Sequence, residues 1–176
     1  FFSCNEKEEF VSESLSDYMP LAVGKYITYR IDSLVFPNFG RATEVHKYQV
    51  KHQIEALTND NLGNPMYKVY RYLRDSAGTQ PWAAAGSYFI TPLDDQVETA
   101  EDNLRVIKLH LPLRDGYTWK GNRYLPTDPL GPIYNFSNDD NMADWDFTYD
   151  GNASSFSYGG NNYSNVFTVE QVDESF

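Results

Sequence analysis

The sequence predicts a mainly β protein: a curved antiparallel sheet, closing toward a sandwich or half-barrel, with long irregular loops. Three observations predict it. Aromatic residues make up 16% of the 176-residue chain, carried largely by 14 Tyr and 11 Phe, and aromatic side chains suit pleated, half-buried surfaces. Apolar and polar residues alternate with a period of two through several segments, as they do in strands with one face in solvent. Between those segments lie clusters of Asn, Asp, Gly and Pro, the residues that turn a chain.

Taken in order, Tyr18–Pro20 leads into a first strand. Ile27, Tyr29 and Ile31 share one of its faces, and Tyr26, Thr28 and Arg30 the other. Residues 44–58 form a longer amphipathic strand with Tyr48, Val50, His52, Ile54 and Ala56 on one face and Lys47, Gln49, Lys51, Gln53 and Glu55 on the other. The turn formers at 59–65 then predict a hairpin pairing 46–57 with 67–74. The acidic stretch 92–103 reads as a helical turn or loop. Residues 104–113 are the most apolar strand, with Ile107, Leu109, Leu111 and Leu113 on one face. Regularity fades after Arg114. Residues 150–165 read as loop, and strand character returns at 165–172.

The length suits one domain, placed at 18–176, able to bury a core without disulfides. A mean hydropathy of -0.57 and the lack of any apolar run near the roughly 20 residues of a spanning helix predict no membrane-crossing helix. The net charge of -11 argues against a nucleic-acid partner, whose binding rests on clustered Lys and Arg. It also disfavours direct contact with anionic lipid, so membrane attachment requires a covalent anchor or a partner.

The opening Phe1-Phe2-Ser3-Cys4, with the chain's one cysteine, resembles the end of a bacterial lipoprotein signal peptide. The resemblance implies that Cys4 carries the lipid and that Phe1–Ser3 are removed. It makes residues 1–17 a signal remnant, an anchor and a flexible acidic tether. Lys7-Glu8-Glu9 is similar to the acidic export tag of Bacteroidetes lipoproteins, which implies an outer-membrane location facing the cell surface rather than the periplasm. The segment YMPLAVGKYITYRIDS is similar to the first strand of a group of uncharacterised Bacteroidetes lipoproteins, patterned Pro-Leu-x-x-Gly-x-x-aromatic-x-Tyr. YKVYRYLRDS and EDNLRVIKLHLPLRDGYTWKGN fit that group as well. The resemblance implies location and architecture and carries no activity. It further implies that relatives continue by a strand or two past Phe176.

Chemistry is sparse. His46 and His52 lie six residues apart, roughly 20 Å along one strand, too far to share a metal ion. His110 stands alone, and no His-x-x-x-His or Cys-x-x-Cys spacing occurs. Neither a nucleophile elbow nor a phosphate-cradling Gly-rich loop is present. The expectation is a non-enzyme without a cofactor. A weak calcium candidate groups Asp139, Asp140, Asp144 and Asp146, since dense carboxylates can supply oxygen ligands. Ser137 capping a short helix explains the same residues. Trp119, Tyr134, Trp145 and Tyr158 are candidate ligand-binding rings, with plugging of a sheet as the alternative. Ser76 and Ser33, in Asp75-Ser76-Ala77 and Asp32-Ser33-Leu34, fit the Bacteroidetes O-glycosylation pattern.

Three functions follow. The favoured one is a non-catalytic lipoprotein held to the membrane by its N-terminal lipid, a binding or accessory subunit of an outer-membrane protein complex. The alternative is a carrier holding an apolar or glycan ligand in a lipocalin-like or LolA-like β-cup. The third is a hydrolase using carboxylate pairs such as Asp94 and Asp95 or Asp139 and Asp140.

Overall fold

Alternation at 44–58 does produce a strand, and the turn residues after it close the expected hairpin. The computed structural model describes residues 14–129, 131 and 142–172, and only the backbone of 152–154. Its strands are β1 (Tyr26–Val35), β2 (Glu44–Asn59), β3 (Pro65–Asp75), β4 (Ala83–Pro92), β5 (Gln96–Glu101), β6 (Leu104–His110), β7 (Thr118–Lys120), β8 (Asp146–Tyr158) and β9 (Asn161–Glu170). Strands β1 to β6 form an antiparallel meander that curls into a half-barrel, and β7 to β9 form a second, smaller sheet.

In the β2–β3 hairpin, register runs from Tyr48 opposite Asp75 to Asn59 opposite Pro65. The turn is organised by Asp60. Its carboxylate accepts from the backbone N–H of Leu62 (2.8 Å) and of Asn64 (2.9 Å), and from the Asn64 side chain (3.0 Å). The Asn64 side-chain bond is the largest of the effects that hold the Asp60 carboxyl below its usual range. Gly63 completes the turn at φ 87, a left-handed conformation that only Gly adopts without strain.

The inner face of the half-barrel follows from register. Ile54 lies opposite Val69 and His52 opposite Arg71; Val69 lies opposite Tyr88 and Ile90 opposite Thr99. Val50, Val69 and Ile90 are buried. One expected placement changes here. A bulge between Ile54 and Ala56 adds one residue to β2, and because side chains alternate sides, the shift moves Ala56 off the Val50–His52–Ile54 face.

Two expected loops are strands. Within 92–103 the chain forms β5 and a two-residue turn at Asp102 and Asn103, whose φ of 50 and 63 match the twist a tight hairpin needs. Within 150–165 it forms the end of β8 and the start of β9, joined at Gly159 and Gly160 with φ 59 and 82. The first strand pairs as an edge. Ile27, Tyr29 and Ile31 share a face, but that face stays open to solvent.

The segment expected as flexible tether packs at its end. Leu15–Tyr18 forms a one-turn helix, α1, capped by the Ser14 side chain, and Leu15 is buried. Tyr18, Met19 and Leu21 follow it onto the core. That core joins both sheets: Ile54, Val69, Ile90, Val97 and Ile107 from the first, and Trp119, Phe147 and Tyr149 from the second. Of the apolar face expected to be buried at 104–113, Ile107 is 0% exposed and Leu113 4%, whereas Leu109 and Leu111 are only partly buried. The strand ends at His110, ahead of the cis Leu111–Pro112 bond.

Candidate ligand-binding cavity

Curling the meander leaves a hollow on its inner face, with a volume of about 600 Å³, inside the range of roughly 300–1,000 Å³ typical of small-molecule sites. One wall is apolar, built from Ile90 on β4, Leu104 and Val106 on β6, and Met19 just after α1. The rest of the lining is mostly polar. Arg71 on β3 donates to Glu101 on β5 at 2.6 Å. The Tyr88 hydroxyl on β4 meets Nδ1 of His52 on β2 at 3.0 Å, and Tyr29 packs edge-on against the same imidazole at 5.3 Å.

The electrostatics of this row have physical causes. Burial, reinforced by the Arg71 cation, lowers His52 below the usual imidazole value, against an upward pull from Glu101. His52 is therefore neutral near pH 7, and its Nδ1 shares one hydrogen bond with the Tyr88 hydroxyl. Burial also raises the Tyr88 phenol, which keeps it protonated. Lys108, on β6, lines the cavity as well. Burial alone lowers its ammonium below the ordinary lysine range. Among the described residues it has no hydrogen-bond or ion-pair partner.

The residues singled out in the sequence are not brought together here. Trp119 lies on β7, not on a loop, and is buried; its indole N–H donates to the Ile107 carbonyl at 3.1 Å. Trp145 is partly buried beside the core, and its indole N–H has no partner among the described residues. Tyr158, at the end of β8, is 74% exposed and stacks on Phe156. Tyr134, Asp139, Asp140 and Cys4 lie outside the described residues. Asp144 and Asp146 both turn to Lys120: its ammonium donates to the Asp144 carbonyl and pairs with the Asp146 carboxylate at 3.0 Å. Among the described residues no group of three or more His, Cys, Asp or Glu is placed to hold a metal ion.

Asp94 and Asp95 are exposed neighbours in the β4–β5 turn. Ser76 is exposed in the β3–β4 connection, where the Asp75 carboxylate accepts from the Thr79 and Gln80 backbone at 3.2 and 2.7 Å. Ser33 is half-buried within β1.

The cavity residues escaped the sequence reading for an identifiable reason. Glu101 falls in the stretch taken for loop or helical turn. Lys108 interrupts the most apolar run of the chain, and alternation puts it on the face opposite Ile107 and Leu109. The signal was available, because a lone Lys inside an apolar strand either reaches water or lines a hollow. Compared with protein-family models, curated proteins and solved structures, the chain matches none.

Proposed function

We propose that this protein is a non-catalytic, lipid-anchored envelope protein whose half-barrel holds a small amphiphilic ligand. The observation that carries this reading is the inner hollow, lined by apolar Ile90, Leu104 and Val106 together with the polar groups of His52, Tyr88, Arg71 and Glu101. Such a site buries a hydrophobic body and orients it by a few polar groups. Anchoring at Cys4, and an outer-membrane location of the kind found among Bacteroidetes lipoproteins, rest on the N-terminal pattern. Two acyl chains would hold the protein stably at a membrane.

A neutral naphthylamine probe tests the hollow. We expect it to bind the protein with enhanced fluorescence, and Thr99→Trp, which fills the hollow from β5, to weaken it at least about tenfold while the melting temperature holds. Undiminished probe binding by a folded Thr99→Trp protein would place the site elsewhere. For the anchor, intact mass of membrane-extracted protein should show an acylated Cys4, and Cys4→Ala should leave the membrane fraction. Full membrane partitioning of Cys4→Ala overturns it.

The accessory-subunit reading has its own support. Among the described residues, strands β1 and β9 each pair on one side only, and Phe156, Tyr158 and Tyr163 lie exposed near the second sheet's hairpin turn. Unpaired edges and exposed rings suit a protein partner. A hollow that takes no probe leaves this as the standing alternative.

A further inference from the structure

Among the described residues, Lys108 is the one cation of the cavity without a counter-charge. Glu101 is committed to Arg71 at 2.6 Å. Asp102 sits in the β5–β6 turn, six residues before Lys108 in the chain and at the far end of the strand. Glu101 lies opposite Leu104, so Lys108 stands four residues further along β6, roughly 13 Å at about 3.3 Å per residue. His52 and Tyr88 are engaged with each other. An ammonium left unpaired where water is partly excluded stands at a cost until an anion reaches it. Its neighbours on the same face of β6 are Val106 and Leu104, so an anion docked on Lys108 would trail an apolar body along that wall.

We propose that the cavity selects single-chain amphiphiles with an anionic head group, and that Lys108 is the residue that binds the head. The proposal rests on the cup reading above and adds the ligand's charge. The chain's net charge of -11 opposes approach from a distance, but salt screens that field within about 8–10 Å. The contact pair at Lys108 then decides.

Dodecanoate, dodecanol and dodecyltrimethylammonium, each below micelle formation, are compared for displacement of the neutral probe. Dodecanoate should displace it at least about tenfold more tightly than dodecanol, the worth of one charge-assisted hydrogen bond, and the cationic chain should be weakest. In Lys108→Met the ratio of dodecanoate to dodecanol affinity should collapse toward one, and Lys108→Arg should keep it. A ratio near one in the unsubstituted protein, or one that survives Lys108→Met, overturns the assignment while leaving the cup intact. If none of the three displaces the probe, the cup reading falls first and this inference with it.

Discussion

Replacing Tyr149 with Ala should cost about 3–5 kcal/mol, the upper range for truncating a buried aromatic. Tyr149 is 0% exposed, and its ring lies 4.7 Å from Trp119 and 5.5 Å from Phe167. Its hydroxyl also joins the two sheets: it donates to the His110 carbonyl at 2.9 Å and accepts from the His110 N–H at 3.0 Å. Burial raises the phenol above its ordinary value, so it remains a donor throughout the neutral range. Tyr149→Phe keeps the ring and strands both His110 groups, for an expected loss of about 1–3 kcal/mol. Urea denaturation of the two variants separates ring from hydroxyl. A Tyr149→Phe protein as stable as the unsubstituted one would show that the bridge contributes nothing. Because small domains are stable by only about 5–15 kcal/mol, the Ala variant should unfold well below the normal midpoint.

Gly121→Ala is the second large effect, and it works through shape. A Cβ at residue 121 would stand 2.4 Å from Phe147, closer than any real contact. The glycine sits just past β7, where its carbonyl accepts from the Ile107 N–H at 2.8 Å, another tie between the sheets. Phe147 is 1% exposed and cannot swing into solvent. Overpacking of this kind costs about 1–3 kcal/mol and more where the backbone must move. Adding Phe147→Leu should make the pair non-additive, with the double variant more stable than the two separate losses predict. Strict additivity in thermal melts would mean that the methyl finds room elsewhere.

Much of the first sheet was legible because its signals are local. The β2–β3 hairpin needed only alternation on both sides of a run of turn formers. The missed hairpins were written just as locally. Asp102-Asn103 and Gly159-Gly160 are two-residue turn signals of the type that joins tight strands, but their flanks are rich in Glu, Asn and Ser and mask the period. Residues 150–165 of the second sheet therefore read as loop, and the sequence leaves Trp119 open between a binding ring and a ring that plugs a sheet. What made Trp119 core was the arrival of Phe147 and Tyr149 from a strand almost thirty residues later.

The sequence by itself determined the class of the fold, the central hairpin, the faces of β1 and the acidity that argues against nucleic acid. Each of these depends on neighbours within a few residues, where steric preference and side-chain alternation act directly. Only the tertiary structure decided which alternating face encloses space. Curling brings His52, Arg71, Tyr88, Glu101 and Lys108 from five strands to one hollow, and bulges at Ile54–Ala56, Arg71–Tyr72 and Val97–Glu98 reset the register on the way. A one-residue shift exchanges inside for outside, so Lys108, set by alternation on the face opposite Ile107 and Leu109, lines the hollow with Val106 and Leu104 and has no partner among the described residues.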